Sequence, residues 1–205
     1  MGIISIPIKE AYEDIKNNII PGGCQTSVII GNETKYNFEL SGSHCGAGDV
    51  IEKFGIPSVI KPGEAKGVLV DSDGGSSQIC SAYGIKIDGN SKLPRYLLMF
   101  YGYNPKLDGS QYSGLRNPVK GGGMISKAEW DKSRFDEGKF PGNEICEDAN
   151  SGTGPDWQID ATKHPLKRYK IGGDLFVQMK SFKDHIDGGS RHYVEFRVSD
   201  KDIDS

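Results

Sequence analysis

Tyr83-Gly84-Ile85-Lys86-Ile87 and Tyr96-Leu97-Leu98-Met99-Phe100-Tyr101 lie on either side of Asp88-Gly89-Asn90. The flanking runs are short and rich in aromatic and aliphatic residues, and Asp-Gly-Asn is a strong reverse-turn signal, so the stretch predicts a β-hairpin. Similar short runs recur outward from it: Ser27-Val28-Ile29-Ile30, Tyr36 to Leu40, Gly67 to Val70, Asp174 to Met179 and Arg191 to Val198. The last alternates Tyr193, Glu195 and Arg197 against Val194, Phe196 and Val198, the period-2 pattern of a strand with two unlike faces. Many short strands separated by turn residues predict a mainly β protein, an antiparallel β-sandwich.

Only one segment has a helical period. Ile8, Ala11, Tyr12, Ile15 and Ile19 stand at i, i+3, i+4, i+7 and i+11, while Lys9, Glu10, Glu13, Asp14, Lys16 and Asn17 fill the other faces. Pro21-Gly22-Gly23 is a stop signal, so an amphipathic helix of about four turns is expected. Residues 1–23 then form the N-terminal helix and its hinge, and 24–205 the sandwich domain. Ser126-Lys127-Ala128-Glu129 has the form of a capping box and predicts a short late helix through Phe135. Asn104 to Gly123, rich in glycine, proline and isolated aromatics, reads as a long functional loop, and 141–164 as loop.

The chain has 205 residues, of which 36% are hydrophobic, enough to bury a core. Its formal charge of −3 lacks the basic field that a nucleic-acid partner requires. No run approaches the roughly 20 apolar residues that cross a bilayer, and the N-terminus shows no charged region followed by an apolar one. Cys24, Cys45, Cys80 and Cys146 contain no C-x-x-C pair, which argues against zinc; two disulfides in any of three pairings, or four thiols, stay open. His44, His164, His185 and His192 are too dispersed to name a metal site. No nucleophile, base and orienter assemble at any recognisable spacing, so neither an enzyme nor a cofactor is expected. Asp71-Ser72-Asp73-Gly74-Gly75 lacks the distal glutamate of a calcium loop and reads as a hairpin turn. Asn32-Glu33-Thr34 is a formal glycosylation sequon.

Several strings, in order along the chain, carry a resemblance to a known family. These are Ile30-Gly31-Asn32-Glu33-Thr34, Cys45-Gly46-Ala47-Gly48-Asp49, Ile60-Lys61-Pro62-Gly63-Glu64-Ala65, Asp88-Gly89-Asn90-Ser91, Tyr112-Ser113-Gly114-Leu115-Arg116-Asn117, and the closing Asp187 to Val198. With the N-terminal amphipathic helix and the late helix, they resemble the actinoporins, pore-forming cytolysins of the sea-anemone type. The resemblance implies a secreted, toxin-like protein that acts at a target-cell membrane. It would bind lipid head groups, phosphocholine among them, self-associate on the membrane and insert its N-terminal helix.

For head-group binding the resemblance points to Tyr101, Tyr103, Tyr112 and Arg116 on the loop and to Trp130 and Phe135 on the late helix. Ring faces attract a quaternary ammonium, an arginine donates to phosphate, and exposed aromatics settle in the interfacial belt of a bilayer. For insertion it points to Ile8, Ala11, Tyr12, Ile15 and Ile19. Three departures bear on specificity. The family's Ser-Val-Pro string is replaced by Phe100-Tyr101-Gly102, its Trp-Trp by Leu115-Arg116, and its helix tyrosines by Trp130, Arg134 and Phe135. These changes remove hydroxyl donors and argue for a lipid other than sphingomyelin, or for a glycan. A helix from Pro7 to Ile20 would also be about 21 Å long, short of the roughly 30 Å hydrocarbon core. A non-lytic, lectin-like or lipid-binding protein on the same fold is therefore the alternative.

Overall fold

A computed structural model describes residues 6–18, 20–21, 23–73, 75–85, 96–105, 112–116, 124–126, 159–160, 166–171, 175–186 and 189–203. The described residues form one α-helix, α1 (Ile6–Asn17), a single 3-10 turn (Glu52–Phe54) and thirteen strands. The strands are β1 (Gly23–Glu33), β2 (Phe38–Ala47), β3 (Asp49–Val50), β4 (Val59–Ile60), β5 (Ala65–Asp71), β6 (Ser77–Ile85) and β7 (Tyr96–Asn104). They continue with β8 (Tyr112–Arg116), β9 (Met124–Ser126), β10 (Ile159–Asp160), β11 (Leu166–Ile171), β12 (Leu175–Ile186) and β13 (Gly189–Ser199). A six-stranded sheet runs β11-β12-β13-β1-β5-β3, and a seven-stranded sheet runs β10-β8-β7-β6-β2-β4 with β9 beside β7.

The β-sandwich expected from the strand pattern is the fold observed. Val28, Ile30, Val68, Val70, Val194, Phe196 and Val198 of the first sheet meet Phe38, Ile79, Tyr83, Ile85, Leu98 and Phe100 of the second in one apolar core. Each set is every second residue of its strand, so the pleat alone separates core from surface. β6 and β7 pair antiparallel from Ser77↔Asn104 to Ile85↔Tyr96, as the runs on either side of Asp88-Gly89-Asn90 predict, while the turn itself lies outside the described residues. One pairing departs from the antiparallel pattern: β1 and β13 run parallel over eleven residue pairs.

Other expectations are corrected. Asp71 to Gly75 does not turn a hairpin, because β5 lies in one sheet and β6 in the other; the segment carries the chain across the sandwich. Tyr112 to Arg116 is a strand rather than part of a loop. It has no alternation of its own and takes its order from β7, with Tyr103↔Tyr112 through Met99↔Arg116 in register. β10 falls inside the stretch read as loop, and β11 is an edge strand whose three basic residues masked it. Ser126 closes β9, while the late helix expected at 127–135 lies outside the described residues.

The sequon at Asn32 is a structural device. Asn32 is fully buried, and its Nδ2 donates to Tyr36 O (2.7 Å) and Ile60 O (2.9 Å). Its Oδ1 accepts from Thr34 N and Thr34 Oγ1 at 3.0 and 2.7 Å. Such an amide closes the corner between the sheets by satisfying backbone groups that no strand reaches.

Candidate functional site

Of the residues singled out for lipid binding, Tyr101, Tyr103, Tyr112 and Arg116 stand at positions on the outer face of the seven-stranded sheet. Ile79, Leu98 and Phe100 enter the core, so Gln78 and Cys80 of β6 and Tyr101 and Tyr103 of β7 belong to the opposite face. Register extends that face sideways. Gln78 pairs with Tyr103, Tyr103 with Tyr112, and Tyr112 with Asp160, which makes one row across four strands. Arg116 sits opposite Met99, two rungs further on the same face than the Tyr101↔Gly114 pair.

The two tyrosines of β7 differ. Tyr101 is 1% exposed, and its phenol oxygen accepts a 2.7 Å hydrogen bond from Gln78 Nε2, so its ring is part of the packing. Tyr103 is half-buried and is the register partner of Tyr112. Trp130 and Phe135 lie outside the described residues.

A buried polar network fixes the end of β7 that carries Tyr103. Asn104 Nδ2 donates to Gln25 O (2.9 Å) and to Ser190 O and Oγ (3.1 and 3.2 Å), tying β7 to β1 and β13 across the sandwich. Thr26 Oγ1 meets Ser77 Oγ at 2.7 Å, and Cys24 Sγ donates to Asn104 O at 3.2 Å. His192 spans the same gap, with Nδ1 3.0 Å from Tyr103 O and Nε2 2.6 Å from Ser181 Oγ. A carbonyl only accepts, so the proton sits on Nδ1 and the serine hydroxyl donates to Nε2. Burial lowers the His192 pKa to about 4, nearby Lys183 adds to the fall, and the bond to Tyr103 opposes it.

Cys24, Cys45 and Cys80 are free thiols. Every complete pairing of the four cysteines needs one bond among these three, so the two-disulfide framework is not formed. Burial raises the thiol pKa of Cys24 and of Cys45.

The helix lies on the outer face of the other sheet, and its apolar stripe points inward. Ile8 and Ile15 are buried against Ile29, Leu69 and Tyr193, with Ala11 and Tyr12 beside them. Their seats have glycine floors: a Cβ on Gly31 would come 2.6 Å from Ile8 Cδ1, and one on Gly67 would overlap Ile15 Cδ1. Tyr12 packs on a stacked Phe182–Tyr193 pair, with its centroid 5.7 and 5.1 Å from theirs. Burial of each isoleucine contributes about 1.5–3 kcal/mol. Ile19, the fifth residue of the expected stripe, lies outside the described residues, and the helix ends at Asn17.

Below the last turn sits a feature the sequence reading missed. Arg191 is fully buried. Its Nε and Nη2 donate to Gln25 Oε1, and Nη1 donates to Ile15 O (3.2 Å) and Tyr193 Oη (3.1 Å). Gln25 Nε2 in turn donates to Ile20 O at 2.8 Å. A cation under the carbonyl end of a helix meets the negative pole of its dipole. No local signal gave it, because Arg191 shares the face of its strand with Glu195 and Arg197 as well as with Tyr193.

In structure the chain is similar to the lipid binding protein Nakanori, known from a crystal structure. The TM-score is 0.58 at 12% identity, over 93% of this chain and 77% of that one. At that identity the likeness shows a shared fold. No protein-family model matches the chain, and no curated protein sequence does.

Proposed function

We propose that this protein binds lipid head groups at membrane surfaces through the outer face of its seven-stranded sheet. The observation that carries the reading is the register that sets Tyr103 beside Tyr112 and puts Arg116 on the same face. Tyrosines at adjacent register positions suit a head-group layer by their amphipathic, π-rich chemistry, and an arginine at a position on the same face suits its phosphates. The lipid-binding activity of a protein with the same fold supports it. The protein is read as secreted and as a binder rather than an enzyme. Co-sedimentation with phosphatidylcholine vesicles tests the proposal: the wild type should sediment and Tyr103→Ala should lose most of the binding. Equal sedimentation of the two would remove the tyrosine face from the account, and binding to a glycan array alone would move the protein to the lectin class.

The second reading is a pore-forming cytolysin that self-associates on the membrane. It is favoured by the amphipathic α1 and requires that helix to leave its seat. Dye release from vesicles by the full chain, compared with a chain beginning at Gly23, tests it; binding without leakage would rule it out.

A further inference from the structure

We infer that α1 is a fixed part of the sandwich and that the protein engages membranes without releasing it; the second half rests on the membrane-binding reading above. The seat is made from both ends of the chain. Ile8 and Ile15 fill sockets floored by Gly31 and Gly67, and Tyr12 covers the Phe182–Tyr193 stack. The carbonyls of Ile15 and Ile20 are held from below by Arg191 and Gln25, which are themselves register partners on β13 and β1. On the solvent side Lys53 Nζ donates to Asn18 Oδ1 (2.9 Å) and stands 3.6 Å from Asp14. Release would uncover the apolar floor and break every one of these bonds.

A bilayer offers little in return. Twelve residues make a helix about 18 Å long, against a hydrocarbon core of roughly 30 Å. Lys9, Glu10, Glu13, Asp14 and Lys16 give the helix two positive and three negative charges. Helices that lie in a lipid interface carry the opposite excess, because lysine and arginine meet the phosphates. The described helix is thus matched to its sheet and mismatched to a membrane in both length and charge.

The test is a staple across the exposed Asp14–Lys53 contact. Asp14→Cys and Lys53→Cys are joined by a short bis-maleimide, with Cys45 and Cys146 replaced by serine. Stapled and unstapled proteins are compared for sedimentation with phosphatidylcholine vesicles and for release of trapped dye. The inference expects affinities within twofold of each other and no leakage from either. Leakage from the unstapled protein that the staple lowers tenfold, or a tenfold loss of binding on stapling, overturns it. Amide exchange of residues 12–17 in free protein decides the first half independently. Exchange only through global unfolding supports a fixed helix, and exchange through an opening tenfold or more easier overturns it. If neither protein sediments, the membrane-binding reading falls while the exchange result still stands.

Discussion

Arg191 and Gln25 are register partners in the parallel pair of β1 and β13, and two of the guanidinium nitrogens donate to the same amide oxygen. The pair ties three elements with one group of bonds: a strand from each end of the chain and the helix above them. A buried cation whose described partners are all neutral depends on each of those acceptors.

Removing the acceptor should therefore cost more than removing the charge. Gln25→Leu leaves a buried guanidinium without its principal partner and is expected to destabilise by about 3 kcal/mol. Arg191→Met keeps the volume, removes the desolvated charge and should cost roughly half as much. Urea unfolding midpoints of the two variants check the order.

Gly67→Ala should lower stability by about 1–3 kcal/mol through overpacking, because the added methyl overlaps Ile15 Cδ1 in a fully buried seat. Ile15→Val in the same chain should return part of the loss. Thermal melting of the single and double variants measures the coupling; strict additivity would show that the contact does not limit the helix.

The His192 pKa is depressed in the folded protein to about 4. Its contribution is therefore full above the unfolded value near 6.5 and is lost as pH falls toward 4, because the unfolded chain binds the proton first. The loss across that window is on the order of 3 kcal/mol. His192→Gln should be less stable at pH 7 and show a flatter profile between pH 6.5 and 4. Unfolding free energies at half-unit pH steps check both statements.

The tyrosines of β7 should separate into two classes. Tyr101→Phe deletes a phenol bonded to Gln78 and should cost about 1 kcal/mol of stability with vesicle binding unchanged. Tyr103→Ala and Tyr112→Ala should each weaken vesicle binding about tenfold, the factor that corresponds to about 1.4 kcal/mol. A binding loss in Tyr101→Phe would show that the buried phenol reaches the ligand.

How much of this could be read from the amino acids follows from what carries each signal. Local patterns report local physics: the alternation around Tyr193 to Val198 and the apolar runs on either side of Asp88-Gly89-Asn90 gave the sandwich, and the spacing of Ile8, Ala11, Tyr12 and Ile15 gave the helix and its buried face. What failed was non-local. Tyr112 to Arg116 is a strand because β7 and β10 pair with it on either side. Asp71 to Gly75 looks like a hairpin turn until the partners of β5 and β6 are known. Tyr101 and Tyr103 are two residues apart on one face, and nothing in their neighbourhood in sequence says that one is sealed and the other half-open. Arg191 reads as a surface charge until Gln25, 166 positions away, is placed beside it.

That separation has a kinetic consequence. The neighbour of β1 in the middle of its sheet is β13, so the six-stranded sheet stays split until the chain has closed one of the largest loops available to it. Pairings of such span form slowly, and they leave strand edges open meanwhile. The seat of α1 is assembled late for the same reason, since Arg191 and Tyr193 arrive only with β13. A ribosome-bound intermediate that lacks β13 would thus carry a helix with an incomplete seat and a bare edge on β1. The stage at which this protein is most open to misassociation is its own synthesis.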